Sequence, residues 1–431
     1  MGLTSAELSA RLGGEVSNLS RMLGGASRET WSFDLDGRPL VLRCDPAGAP
    51  RAGAMLREAA LLRAAAAAGV PVPEVVDATG ESIVMQRLEG ETIARRILRD
   101  DALTDARARL TGQCATALAR LHRGVAASDV DGLPEETDPL QALRDLLDRL
   151  GEPHPALELG LLRLSGRQPA ATGRTVVHGD FRLGNWMVDH GGLVGVLDWE
   201  LAHLGDPAED LGWMCVRSWR FGSRLPVAGV GRREELLDAY AAAGGPPVDL
   251  AALSWWEAYG TLRWGVICVQ QAAAHLSGAV RSVELAAIGR RVCEVELDLL
   301  DLVAPEVERA AVTADLLQST VQRGPHDRPT ADELLEAVQE WVAGLSLSGR
   351  DGFLARVAGR ALDVVRREAA MAPALTQRHT ERLATLRVDS DAELAAQIRA
   401  GRDDPQVAAA VREAVIDKLR VADPAQLTDR H

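Results

Sequence analysis

Between residues 175 and 198 the chain offers three short β-prone runs. The polar residues set among them restrict the local fold more than anything else in its 431 residues. Thr175-Val176-Val177 reads as one strand, Asn185-Trp186-Met187-Val188 as a second and Leu193-Val194-Gly195-Val196-Leu197 as a third. His178-Gly179-Asp180 follows the first run. Asn185 stands five positions after Asp180, and Asp198 follows the third run directly, which puts it at a strand end. An aspartate after glycine is by itself an ordinary turn residue. Turns alone do not explain an ordered His-Gly-Asp, an asparagine at plus five and a strand-terminal aspartate.

These side chains form an oxygen set suited to one chemistry. Phosphoryl transfer needs a carboxylate to orient and deprotonate the attacking hydroxyl, and oxygen ligands for the magnesium that bridges the phosphates. Protein kinases carry an H-x-D segment, an asparagine five residues after the aspartate, and a second aspartate further on. On that logic Asp180 is the expected base, and Asn185 and Asp198 are the expected metal ligands. His178 is expected to brace the loop. No histidine pair has zinc-ligand spacing.

The 48 basic residues are almost all arginine, and Lys418 is the single lysine. A Walker-type phosphate loop needs a lysine after its second glycine, so that reading is excluded. A lysine Schiff base beside any earlier motif is excluded as well.

The stretch from His178 to Asp210 resembles the aminoglycoside phosphotransferase superfamily, whose signature is H-G-D-x-x-x-x-N, then D-x-E, then G-D-P-x-x-D-L. The later parts read here as Asp198-Trp199-Glu200 and Gly205-Asp206-Pro207-Ala208-Glu209-Asp210-Leu211. The likeness is closest to the subgroup that includes the kinase-like part of acyl-CoA dehydrogenase family members 10 and 11. Leu118-Ala119-Arg120-Leu121-His122 also resembles a helix of that family. The resemblance spans roughly residues 15 to 300. It implies an α+β, bilobal protein-kinase-like fold. A β-rich, nucleotide-binding N-lobe (1–90) would precede a mostly helical C-lobe (91–305) that binds the acceptor. A linker (306–325) and an all-α C-terminal domain (326–431) follow, the latter similar to an uncharacterised helical domain joined to such kinases. ATP, or GTP, and magnesium are the implied cofactors.

Within the small lobe, Gly24, Gly25 and Ser27 are the candidate phosphate loop, since glycine lets backbone N–H groups approach closely. A plain hairpin turn is the competing reading of the same residues. Arg43 stands where kinases place a lysine, and Glu58 is its expected partner. Arginine keeps the charge and adds a fork for two oxygens. Met85 and Arg87 lie where the chain crosses between lobes, and the resemblance implies adenine contacts from their backbone. Glu200, Arg263 and Trp264 are candidate acceptor contacts. Seven of the nine tryptophans fall between Trp186 and Trp264, which suits either an acceptor pocket or helix packing.

Composition removes other classes. A net charge of −14 repels a phosphate backbone, so nucleic acid is not an expected partner. No apolar run reaches the ~18 residues of a membrane span. The five cysteines are scattered, and together with the absence of a signal-peptide pattern they suit a cytoplasmic protein. The expected activity is ATP- and magnesium-dependent phosphorylation of a hydroxyl on a small molecule, a hydroxyacyl-CoA-like metabolite first and an aminoglycoside second. The alternative is a nucleotide-binding pseudokinase with a regulatory tail, which the missing lysine favours. The helical tail is also a candidate oligomerisation element.

Overall fold

The computed structural model describes residues 4–22, 28–45, 53–307 and 329–428. Gly24, Gly25 and Ser27, and residues 308–325 of the expected linker, lie outside that set.

Thr4 and Glu7 form the capping box that their spacing predicts, and helix α1 (Ser5–Leu12) follows. Strands β1 (Val16–Arg21), β2 (Glu29–Leu35) and β3 (Arg38–Cys44) come next. Asp36 and Gly37 both take positive φ, at 50° and 79°, and make the tight turn between β2 and β3. After helix α2 (Ala54–Ala67), strands β4 (Val75–Ala78) and β5 (Ser82–Gln86) complete an antiparallel sheet of order β1-β2-β3-β5-β4. Period-two alternation along β3 divides its roles. Leu40 and Leu42 enter a core with Leu8, Phe33 and Val84, while Val41 packs against the cluster of Met55, Ala59, Ile83 and Met85 on the α2 side. Arg43 shares the parity of Val41, so it too faces α2.

The rest of the chain is mostly helical. Helix α3 (Thr104–Gly124) and helix α4 (Pro155–Ser165) precede strand β6 (Thr175–Val177). Strands β7 (Trp186–Asp189) and β8 (Gly192–Val196) form a hairpin, and β9 (His203–Gly205) pairs with β6. Then come helices α5 (Pro207–Cys215), α6 (Arg233–Ala242), α7 (Leu250–Leu276) and α8 (Val292–Val303). Further on are α9 (Ala331–Gly344), α10 (Gly349–Leu386), α11 (Asp391–Arg399) and α12 (Pro405–Ala422). No helix among the described residues is long and apolar enough to cross a membrane.

The chain divides into two compact units, Met1–Thr137 with Pro169–Gly260, and Asp138–Gln168 with Thr261–His431. The first unit holds the five-stranded sheet and the whole His178–Asp210 stretch, so the position 90/91 boundary falls inside it. Its core gathers Leu110, Cys114 and Leu118 of α3 with Val176, Trp186, Val196 and Leu211. In the second unit, Ala156 and Leu159 of α4 and Leu297 and Leu300 of α8 share one core with Leu383, Ile398, Val411 and Leu419. The helices after residue 326 therefore close a core with elements from the middle of the chain. Arg412 reinforces it by donating to Asp301 at 2.7 Å and to the carbonyls of Leu300 and Ala304 at the α8 C-terminus.

Candidate active site

The loop after β6 is held from beneath by one buried carboxylate. Asp210, on α5, accepts from the backbone N–H of His178 at 2.7 Å and of Gly179 at 2.9 Å, and pairs with His122 of α3 at 3.1 Å. The other ring nitrogen of His122 lies 2.7 Å from the Tyr240 hydroxyl on α6. Burial alone raises the Asp210 pKa. The hydrogen bond and charge of His122, with the contributions of His178, outweigh this and leave it below its ordinary value. Asp206 caps α5, with Pro207 in its first turn, and that orientation turns Asp210 inward.

His178 is fully buried. Its Nε2 lies 3.0 Å from the Leu197 carbonyl, and its Nδ1 accepts the Asp180 N–H at 3.1 Å. Both ring nitrogens are thus committed to the backbone, and the ring packs edge-on against Trp199 at 4.7 Å. The ring therefore braces the loop. Gly179 has φ 75°, and a side chain there would collide with the Leu201 carbonyl.

Asp180 projects from this loop with its carboxylate fixed by three donors. Oδ1 accepts from Arg182 Nε at 2.9 Å and from the Trp213 indole at 2.8 Å. Oδ2 accepts from Asn185 Nδ2 at 2.6 Å, and the same amide nitrogen also reaches the Asp180 carbonyl at 3.0 Å. Arg182 lies over the Trp219 ring, 4.5 Å from its centroid, so two groups hold its guanidinium.

Asp198 follows β8 in the left-handed region, at φ 63°, a conformation that aspartate tolerates better than most residues. Its Oδ1 accepts from Arg43 Nη2 at 3.1 Å. Arg43 also donates to Glu58 at 2.6 Å. Burial works to lower the Arg43 pKa, but Glu58 and Asp198 raise it more. Glu58 has a second partner, Arg28, whose side chain is only 3% exposed. Arg28 further lies 3.6 Å from Asp45 and 3.8 Å from Glu200. Arg28, Arg182 and Trp213 were not among the expected site residues. Helical spacing does relate Trp213 to Asp210, and Arg182 lies within the motif itself. Arg28 carries no signal among so many arginines.

The arrangement fits a hard divalent cation. Asn185 uses its amide nitrogen on Asp180, so its amide oxygen is the atom it could offer to a cation. Asp45, Glu58, Asp180, Asp198 and Glu200 meet Arg28, Arg43 and Arg182 in these contacts. Among the described residues no group of three or more His, Cys, Asp or Glu is placed to hold a metal. An asparagine–aspartate pair suits magnesium, which keeps several waters and takes its remaining oxygens from phosphate.

The remaining expected residues are placed as follows. Met85 is buried in the sheet core, and its backbone pairs with Val41 and Val75. The Arg87 N–H donates to the Pro39 carbonyl at 3.2 Å, and its guanidinium lies 3.5 Å from Asp34. Arg263 and Trp264 are half-buried on the part of α7 that belongs to the second unit.

The profile of a family described as "Phosphotransferase enzyme family" matches residues 18–256, more than half of the chain. A profile described as "Domain of unknown function (DUF6285)" matches residues 345–426. Among curated proteins, acyl-CoA dehydrogenase family member 10 of Mus musculus is 32% identical over 219 residues. That match covers 47% of this chain and only 20% of the mouse protein. Among solved structures, a candidate aminoglycoside phosphotransferase from Ralstonia eutropha JMP134 is similar at TM-score 0.57 and 20% identity. It is covered over 99% of its length by 71% of this chain, and at that identity the likeness is one of fold.

Proposed function

This chain belongs to the phosphotransferase enzyme family, and we propose that it transfers the γ-phosphoryl group of ATP to a hydroxyl of a small acceptor, with magnesium. It is a small-molecule kinase of kinase-like fold. The observation that carries the finer reading is the 2.6 Å bond between Asn185 and the Asp180 carboxylate, in a loop where Asp180 is oriented by three donors.

In this reading the acceptor hydroxyl approaches Asp180. As its oxygen bonds to the γ-phosphorus and the bond to the ADP oxygen breaks, Asp180 takes the hydroxyl proton. Asn185 and Asp198 would hold magnesium, which would offset the negative charge of the transferring phosphoryl group. Arg43, steadied by Glu58, presents its second guanidinium nitrogen beside Asp198, where it can meet a phosphate oxygen. Holding these groups before the substrate arrives removes reorganisation from the barrier. Arg43 makes the pair with the helix glutamate that a strand lysine would make, so the missing lysine no longer favours a pseudokinase.

We take a hydroxylated acyl thioester as the first acceptor class, which the similarity to acyl-CoA dehydrogenase family member 10 supports, and an aminoglycoside as the second. ATP is preferred to GTP on the same family grounds, and a cytoplasmic location is part of the proposal. The test is magnesium-dependent ADP formation across hydroxyacyl-CoAs, aminoglycosides and simple alcohols. Stimulation by one class identifies the acceptor. ATP binding with no stimulation by any class would count against it.

A further inference from the structure

Both donors to Asp180 Oδ1 meet at one ring. Trp213, which donates its indole N–H, packs against Trp219 with ring centroids 5.4 Å apart. Arg182, the other donor, lays its guanidinium over the same Trp219 ring. Whatever places Trp219 therefore bears on the Asp180 carboxylate. Trp219 is buried in the 3₁₀ turn Arg217–Arg220, which follows α5. The turn runs into Phe221 and Gly222, both at positive φ, 47° and 89°. A phenylalanine keeps that conformation only where its surroundings impose it.

Arg220 supplies the constraint. Its Nε and Nη2 donate to the Cys215 carbonyl at 3.1 and 2.6 Å, which satisfies an end carbonyl of α5. Nη2 also donates to Glu257 of α7 at 2.7 Å, and Glu257 is 2% exposed. The two helices are already seated on each other there, since a side chain at Gly212 of α5 would collide with Trp256 of α7. Arg220 thus fastens the turn to a packed helix pair, using a fork that lysine lacks. Arg233, at the start of α6, grips the same carboxylate at 2.9, 2.8 and 2.6 Å and lies beside the Cys215 thiol. Among the described residues it makes no hydrogen bond to the Arg217–Arg220 turn. One buried carboxylate holds two arginines, and only one of them belongs to the turn that carries Trp219.

We propose that Arg220 is a positioning residue for the phosphoryl transfer. Anchored on Glu257 and the Cys215 carbonyl, it holds Trp219 where that ring sets both donors to Asp180 Oδ1. The inference rests on the reading of Asp180 as the base. Without Arg220 the turn relaxes, Trp219 shifts, and the carboxylate loses its aim at the acceptor hydroxyl. Arg43 and Asp198 lie on other elements and keep their places.

Arg220→Met and Arg233→Met test this as a pair, because each withdraws one guanidinium from Glu257. Both are expected to lower the melting temperature. Only Arg220→Met is expected to lower kcat, about 10- to 100-fold, the cost of misplacing a reacting group by up to about 1 Å. Its KM for ATP is expected to stay unchanged, and Arg233→Met to keep the wild-type kcat. The indole N–H proton resonance of Trp213, assigned by its loss in Trp213→Phe, gives a readout that needs no acceptor. A charge-assisted hydrogen bond draws it downfield. Arg220→Met is expected to move it upfield, and Arg233→Met to leave it in place. If Arg220→Met fails to fold, Arg220→Lys keeps the charge beside Glu257, loses the fork and carries the same two readouts. A wild-type kcat or an unmoved Trp213 resonance in the Arg220 variant, or equal changes in Arg233→Met, would overturn the inference. Asp180→Asn is measured alongside. Its loss of activity would then leave the base assignment standing, whereas an active Asp180→Asn overturns both.

Discussion

The indole N–H of Trp213 donates to Asp180 Oδ1 at 2.8 Å and joins α5 to the residue assigned the proton transfer. The helix that carries Asp210, which holds the backbone of the loop, thus also aims its principal side chain. Trp213→Phe keeps an aromatic ring beside Trp219 and removes the indole donor. A hydrogen bond to a charged group contributes about 1.5–3 kcal/mol, so kcat is expected to fall about 10- to 100-fold. The KM for ATP is expected to stay unchanged, because Trp213 touches no group assigned to the nucleotide. Steady-state kinetics separates the two. A raised KM with intact kcat would move Trp213 out of the catalytic arrangement.

Asp198→Asn tests the metal assignment. Asparagine tolerates the positive φ at this position, so the fold is expected to survive. The exchange removes one negative charge from the cation site. ADP formation is expected to fall at least about 100-fold at low magnesium, a loss in the range for removing a principal electrostatic stabiliser, and to recover in part as magnesium rises. Insensitivity to magnesium in both proteins would remove Asp198 from the site.

Arg28 is a matter of stability. Replacing it with methionine leaves Glu58 with Arg43 alone and leaves Asp45 without the guanidinium at 3.6 Å. Breaking a buried ion pair from one side costs about 3–5 kcal/mol. Thermal unfolding is expected to shift down by several degrees, and Glu58→Gln in the same background to recover part of the loss. An unchanged melting temperature would show that Arg28 contributes nothing net.

What was legible in the sequence and what was not divides along contact distance. That Asn185 stands against Asp180 could be read because the motif packs them into one short loop before a hairpin. Arg43 and Glu58 could be paired because β3 and α2 are consecutive and the parity of β3 faces α2. Arg28 could not be read, since its partners Asp45, Glu58 and Glu200 come from three separate segments. The placement of α4 was hidden for the same reason. Its residues from Pro155 to Leu161 are all buried, which marks a helix enclosed on every side, but nothing local says that α8 and α12 enclose it.

Glu296 gives the second unit a pH dependence. Burial raises its pKa, but Lys418 at 3.4 Å and His154 at 3.0 Å lower it further, to about 2 from an ordinary 4.5. A carboxylate depressed in the folded state stabilises the fold above its unfolded pKa, and that stability is lost as pH falls from about 4.5 towards 2. Glu296→Gln is expected to flatten this acid limb of the stability curve, measured by denaturant unfolding across that window. An unchanged limb would assign the acid loss to other carboxylates.

The central claim is that Asp180 accepts the proton of the acceptor hydroxyl. The most direct measurement is single-turnover ADP formation by Asp180→Asn, with ATP and magnesium saturating and the best acceptor present. A general base contributes about 10²–10⁴ in rate, so the account predicts a loss of that size with ATP affinity retained. A variant that turns over within a few-fold of the wild type would contradict it.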